Sequence, residues 1–147
     1  MEHRIFGEPQ EGVEYTERVG AYGIASRGEK VLIEKARLGY FLPGGGVDEG
    51  EAIEAALVRE VREESGYEIV SWELLGIGVE YLYIPEKNFA QKKVGHFFLV
   101  ELGERGEPTY PDKHVMPVAW LSVDEALKGM YLESQRWAIE TAMYLGV

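Results

Sequence analysis

The stretch RLGYFLPGGGVDEGE, residues 37–51, constrains the fold of this 147-residue chain more than any other segment. Three consecutive glycines follow a proline there, so the backbone is free to come close to other groups. The next segment, Glu51–Ser65, has high helix propensity, contains no Gly or Pro, and stops at Gly66, the residue expected at a helix C-terminus. The sequence therefore predicts a glycine loop that leads directly into a helix.

The predicted helix carries carboxylates where its apolar stripe should continue. At about 100° per residue, Glu60, Glu63 and Glu64 fall in the same arc as the apolar side chains. Burying an ionised carboxylate without a partner is costly, so either this helix end is solvated or the three carboxylates share positive charge. Glu60 and Glu64 lie one turn apart with Glu63 beside them, and such oxygen ligands suit Mg²⁺ or Mn²⁺ rather than zinc.

Strand-like and helical segments alternate along the chain. The runs Val19–Ser26 and Val31–Ala36 flank the turn-like RGEK and predict a β-hairpin. The other predicted elements are strands at Trp72–Ile84, Gly95–Leu102 and Pro117–Leu121, a polar connection at Gly103–His114, a short helix capped by Ser122, and a C-terminal helix at Glu133–Leu145. This mixture predicts an α/β (α+β) fold in which the helix after the glycine loop packs on a mixed sheet.

Composition and charge exclude several classes of protein. The length predicts one domain, 1–147, and no apolar run approaches the roughly 20 residues of a membrane span. The first fifteen residues lack the apolar core of a signal peptide, and the absence of cysteine excludes disulfides, so we expect a cytoplasmic protein. A net charge of −11 opposes binding to a long nucleic acid, whereas a bound divalent cation would still admit a small anionic substrate.

Residues 45–67 resemble the box motif of the Nudix hydrolases, a family that includes MutT-like proteins. The box reads Gly, five residues, Glu, seven residues, then Arg-Glu-apolar-any-Glu-Glu-any-Gly-apolar. Its positions are occupied here by Gly45, Glu51, Arg59, Glu60, Val61, Glu63, Glu64, Gly66 and Tyr67. Only Tyr67 departs from the family pattern, being aromatic where an aliphatic residue is usual. The resemblance extends more weakly over nearly the whole chain and implies the family's α/β/α sandwich, with a mixed sheet between helices.

The resemblance implies a metal site and a reaction. Glu60 and Glu64 would bind a divalent cation, Mg²⁺ or Mn²⁺, and Glu63 would bind it directly or through water. Gly44 would add a backbone carbonyl ligand. The reaction implied is hydrolysis of a phosphoanhydride in a nucleoside diphosphate linked to another group, with attack of water on phosphorus.

Supporting residues and a general base are also implied. Arg59 would orient Glu60 through a charge-assisted hydrogen bond, and Glu51 would brace the loop or hold a further ion. Glu60 is the first candidate for the base and Glu63 the second. Some family members take the base from outside the box, and the reserve candidates, each otherwise an ordinary surface acid, are Glu80, Glu86 and Glu101.

Substrate contacts are expected from cations and aromatic residues near the loop. Arg18, Lys35 and Arg37 could meet phosphate oxygens or be plain surface residues. Tyr81 and Tyr83 could stack on a base, although alternate aromatics in a strand more often pack. Tyr83 lies sixteen positions past the box, and a tyrosine thereabouts is a feature of the family's dinucleoside polyphosphate hydrolases.

Two functions from different classes are consistent with these residues. The first is a metal-dependent pyrophosphohydrolase, a monomer or homodimer, that acts on a small nucleotide: a nucleoside triphosphate, oxidised or not, or a dinucleoside polyphosphate. The second is a catalytically inactive module that binds a nucleotide or a protein. Inactive relatives typically lose box glutamates, and none is lost here, which favours the enzyme.

Overall fold

The computed structural model describes residues 2–109 and 117–146, so His114 and the end of the predicted Gly103–His114 connection lie outside the described residues. Within those ranges the helices are α1 (Ile53–Ser65), α2 (Val123–Gly129) and α3 (Glu133–Tyr144). The strands are β1 (Glu2–Phe6), β2 (Thr16–Ile24), β3 (Ser26–Arg27), β4 (Lys30–Ala36), β5 (Gly39–Phe41), β6 (Gly44–Gly46), β7 (Tyr67–Ile84), β8 (Phe89–Arg105) and β9 (Val118–Ser122).

The strands form a mixed five-stranded sheet and a smaller antiparallel sheet. The order of the first sheet is β1-β7-β8-β2-β6, in which β1 is parallel to β7 and β2 is parallel to β8. In the second sheet β4 pairs with β3, β5 and β9. The antiparallel ladder between β7 and β8 extends over the full length of both strands.

Helices cover the strands from both sides, and the alternation of side chains along each strand decides which helix each residue meets. Phe97 and Phe98 are consecutive on β8 and both buried, yet Phe97 packs in the cluster that contains Trp137 and Ile139 of α3. Phe98 packs instead in the cluster that contains Leu57 of α1. The two clusters are the two cores of an α/β/α arrangement, and the predicted fold class is confirmed.

Most predicted elements are present, with shifted ends. The box helix begins at Ile53, two residues later than predicted, and Gly66 ends it in the left-handed conformation with φ of 80°. Ser122 caps α2, since its hydroxyl accepts a hydrogen bond from the backbone N–H of Glu125 at 3.2 Å. In the described ranges no helix is both long enough and apolar enough to cross a membrane.

Two details of the sequence-based interpretation are wrong, and one strand was not predicted. The predicted hairpin consists only of β3 and β4, because Val19–Ile24 belongs to β2 and pairs with β8 in the other sheet. The glycine segment is not a loop, since Gly44–Gly46 forms β6 against residues 20–22 of β2. The charged N-terminal segment was not predicted as a strand, yet it pairs in parallel with β7 as β1. All three depend on partners distant in sequence, which local patterns do not report.

We expect Gly66→Ala to lower the free energy of unfolding by more than about 2 kcal/mol, because a side chain there adds a collision to left-handed strain. An added Cβ would meet the backbone carbonyl of Gly106. Gly28→Ala is the matched control, since Gly28 also has positive φ, 63°, but open space around it. Urea unfolding of both variants measures the difference. Equal losses in the two variants would contradict the collision.

Candidate active site

Arg59 on α1 is the centre of a network of ionic hydrogen bonds. Its Nε and Nη2 donate to the two carboxylate oxygens of Glu51 at 2.8 and 2.9 Å. Its Nη1 donates to Glu60 at 2.9 Å and to Glu63 at 3.3 Å, and Nη2 also reaches the carbonyl oxygen of Gly46 at 3.1 Å. The bidentate pair with Arg59 lowers the pKa of Glu51 to about 2. One guanidinium thus connects the glycine strand, the loop before α1 and two helix carboxylates.

Glu60 lies against the backbone of the glycine strand. A Cβ at Gly45 would come within 2.6 Å of the Glu60 carboxylate carbon and one of its oxygens, so only glycine leaves room for this approach. Burial raises the pKa of Glu60, while the hydrogen bond from Arg59 acts in the opposite direction. The carboxylate is therefore held in place by Arg59 and made more basic by its surroundings.

Glu64, one turn further along α1, points into the protein. It is 6% exposed, and its Oε1 accepts a hydrogen bond from the backbone N–H of Gly44 at 2.8 Å. Gly44 has φ of 141°, and a Cβ there would collide with the carbonyl of Ala21, so this contact requires glycine. The structure thus shows the N–H of Gly44 engaged by Glu64, and the carbonyl ligand expected from Gly44 stays a prediction.

A fourth carboxylate, Glu34 of β4, lies beside Glu64 and was missed by the sequence reasoning. Its side chain is 2% exposed and shares a hydrogen bond with the carboxyl of Glu64. Burial raises the pKa of Glu34 to about 7, and burial together with the Glu34 charge raises that of Glu64 to about 11. The signal in the sequence was a charge at the fifth position of the apolar strand KVLIEKA, two residues after buried Leu32.

A polar cavity of about 230 Å³ adjoins the glycine strand. The predicted contact residue Arg18 lines it, and an Nη atom of Arg18 lies 3.3 Å from the position of a Cβ on Gly46. Buried Gln135 of α3 also lines the cavity and accepts a hydrogen bond from the backbone N–H of Leu42 at 2.8 Å. The other lining residues include Gly20, Tyr22, Gln91, Lys93, Phe97, Leu132 and Ser134.

A second cavity, of about 460 Å³, shares Arg18 and Gln91 with the first and is lined by Tyr83 and Phe89. Tyr81, the other aromatic candidate, instead packs edge-on against Tyr15 with ring centroids 5.4 Å apart. The two remaining candidate cations, Lys35 and Arg37, are exposed near the turn that joins β4 to β5. Lys35 lies over the ring of Tyr40 and Arg37 occupies the turn before β5, so neither lines these two cavities.

The reserve candidates for a base lie apart from the box carboxylates. Glu80 is buried, contrary to the expectation of a surface acid, and accepts hydrogen bonds from the backbone N–H groups of Glu133 and Ser134 at 3.3 and 2.9 Å. It therefore caps the N-terminus of α3. Glu86 is exposed in a 3-10 turn, and Glu101 is exposed and bonded to the hydroxyl of Ser71.

Comparison with known proteins decides the family. The model of the NUDIX domain matches residues 14–141. The chain belongs to the Nudix family. Nudix hydrolase 5 of Arabidopsis thaliana is 31% identical over 123 residues, which cover 77% of this chain and 38% of that protein. The crystal structure of a MutT NUDIX hydrolase from Burkholderia pseudomallei superposes with a TM-score of 0.68 at 26% identity, covering 86% of this chain and 98% of that one.

The Nudix relatives identified from sequence are longer than the segment that they share with this chain. The NAD-capped RNA hydrolase NudC of Pseudomonas aeruginosa is 38% identical over 81 residues, or 50% of this chain and 28% of NudC. The chain thus spans less than half the length of Nudix hydrolase 5 and of NudC. The shared segments show the domain family, and they do not extend to the rest of those proteins.

The Nudix box residues fit a divalent cation by chemistry. Their donors are carboxylate and carbonyl oxygens, the ligands that Mg²⁺ and Mn²⁺ prefer, and one oxygen of buried Glu34 has no hydrogen-bond partner among the described residues. No three Asp, Glu, His or Cys side chains converge as a ready-made metal cage in the part of the chain that the structure describes. Arg59 holds Glu60 and Glu63, while Glu64 accepts a hydrogen bond from the backbone of Gly44.

The Arg59–Glu51 pair predicts a pH dependence of stability. Because the folded protein holds the pKa of Glu51 at about 2, its ionic contribution is complete above the unfolded pKa near 4 and is lost as the pH falls towards 2. We expect the stability difference between wild type and Glu51→Gln to shrink over this range in urea unfolding at several pH values. Glu49→Gln removes an exposed charge from the same loop and is the control. A difference that stays constant with pH would argue against the pair.

Proposed function

We propose that this Nudix domain hydrolyses a phosphoanhydride bond in a nucleoside diphosphate linked to another group, with Mg²⁺ or Mn²⁺ as the cofactor. The observation that carries the proposal is the arrangement around the glycine strand. All the box glutamates are present, Arg59 orders three of them, and an open polar cavity lined by Arg18 begins at the adjoining Gly46. Hydrolysis of this bond brings negatively charged phosphates next to the box carboxylates. The two groups repel each other unless a cation lies between them.

In this proposal each polar box residue of α1 has a separate role. Glu60 and Glu64 hold the cation, which neutralises phosphate charge and makes water more acidic when bound. Glu63 acts as a further ligand, directly or through water, and Gly44 supplies a carbonyl. Arg59 is a positioning residue, because its donors already fix the orientation of Glu60 and Glu63.

The proton of the attacking water passes to a box carboxylate. Glu60 is the first candidate, since Arg59 already holds its carboxylate beside the glycine strand where the cation and its water would bind. Glu63 is the second, with a side chain 21% exposed and a longer hydrogen bond to Arg59. Glu80 is a poor candidate because the N-terminus of α3 occupies both of its oxygens.

We propose a dinucleoside polyphosphate as the favoured substrate class, ahead of a simple nucleoside triphosphate. The support is the pair of cavities that share Arg18 and Gln91. One adjoins the box, and the other presents the aromatic rings of Tyr83 and Phe89, which can stack on a second base. Arg18 lies between them, where a guanidinium can pair with phosphate oxygens.

We expect Glu60→Gln and Glu64→Gln each to lower kcat by at least about 100-fold, because each removes a charged ligand or base. The measurement is release of phosphate or nucleotide products from a panel of nucleoside diphosphate derivatives with Mg²⁺ or Mn²⁺. Glu54→Gln, an exposed charge on the same helix, is the control and should keep wild-type turnover. Full activity in both box variants would refute the catalytic assignment. Nucleotide binding without turnover in the wild type would instead identify a binding module.

We expect Tyr83→Ala to raise the KM for dinucleoside polyphosphates by about tenfold, the loss of one base–aromatic stack, with little change for nucleoside triphosphates. Tyr81→Ala is the matched control on the same strand, because Tyr81 packs on Tyr15 and does not line the cavity. Steady-state kinetics on both substrate classes separates the two effects. The same KM change for both substrate classes would show that Tyr83 does not contact a second nucleoside.

A further inference from the structure

Glu34 is a buried acidic residue with an unpartnered carboxylate oxygen among the described residues. It lies on β4 between strands β5 and β9, and positions 31–34 of this strand are all buried. Because side chains alternate, Glu34 faces the same side as Leu32, which packs in the core beneath α1. Its carboxyl is 2% exposed, and its Oε2 has no hydrogen-bond partner among the described residues. Such a group destabilises the fold when it is buried unless something compensates it.

The groups around Glu34 compensate it only through the hydrogen bond that it shares with the carboxyl of Glu64. Its carboxyl contacts that of Glu64, and Glu60 adds a second negative charge nearby. Among the described residues, the backbone N–H of Gly44 is the one fixed donor to the pair, and it bonds Glu64. The nearby cation, Arg59, is engaged with Glu51, Glu60 and Glu63 on the outer side of the helix. In the part of the chain that the structure describes, the inner side of the box therefore has carboxylate oxygens and no cationic side chain bonded to them.

We propose that Glu34 is an additional ligand, supplied by β4, of the divalent cation that the box glutamates hold, an inference that rests on the proposed function. The carboxyls of Glu34 on a strand and Glu64 on a helix lie in contact, and one oxygen of Glu34 has no hydrogen-bond partner among the described residues. A cation shared by these groups satisfies both buried carboxylates at once, which hydrogen bonding within the pair does not. The ligand set then reaches from half-buried Glu60 inward to the sheet instead of ending on α1.

This role differs in a measurable way from that of a structural hydrogen-bonding partner. Glutamine has nearly the same shape as glutamate and can hydrogen-bond Glu64, so Glu34→Gln preserves a structural contact. It removes only the charged ligand. Because Glu34→Gln removes a buried and poorly compensated charge, we also expect it to raise the Tm of the metal-free protein at neutral pH.

The test is Mn²⁺ binding without nucleotide, followed by electron paramagnetic resonance and titration calorimetry at pH 7.5. We expect Glu34→Gln to weaken the Kd for Mn²⁺ by at least tenfold, and to reduce the rise in Tm that Mn²⁺ produces. Glu29→Gln, an exposed charge in the turn of the same hairpin, should bind like wild type. Glu34→Asp keeps a carboxylate and should bind more tightly than Glu34→Gln, which keeps the test valid if the glutamine variant folds poorly.

Three outcomes overturn the inference. Wild-type affinity in Glu34→Gln, with hydrolysis by the wild type intact, shows a structural partner and leaves the proposed function standing. Tighter binding in Glu34→Gln than in Glu34→Asp shows that the site needs the shape of glutamate and not a carboxylate. If the wild type neither binds Mn²⁺ nor hydrolyses any substrate of the panel, the proposed function fails together with the inference.

Discussion

The ion network of Arg59 is the interaction on which the rest of the site depends. Without it, the carboxylates of Glu51, Glu60 and Glu63 would repel one another across the loop before α1 and the second half of the helix. The planar guanidinium satisfies all three and also binds the carbonyl of Gly46, so it attaches the helix to the edge of the first sheet. The position of the helix carboxylates relative to the cavity follows from this attachment.

The inner side of the same helix shows the opposite balance of charge. Glu64 and Glu34 are buried against an apolar core with one backbone N–H between them, an arrangement that opposes stability in the metal-free protein. Local conflicts of this kind are expected where a protein binds a ligand, because the bound group supplies the missing interaction. The two sides of α1 therefore differ in charge balance: Arg59 orders the outer carboxylates, and under the proposed function a divalent cation would compensate the inner ones.

Much of the fold was predictable because its signals are local. The presence of α1, its end at Gly66 and the Ser122 cap each depend on a few neighbouring residues, and the structure contains all three. The strand at Gly44–Gly46 was not predictable, since glycines have low strand propensity and form β6 only because β2 offers a ladder. Glu80 was taken for a surface acid because nothing near it in sequence announces the start of α3, 53 residues away.

The sequence by itself determined the family, the helix that carries the carboxylates and the chemistry of their oxygens, because the box is a continuous segment whose spacing sets one helical face. Only the tertiary structure decided which carboxylate is buried, which backbone N–H it meets, and that a strand contributes Glu34. These features join residues 20 to 30 positions apart through sheet pairing and helix packing. No local pattern encodes such contacts, since they exist only when the sheets and α1 come together.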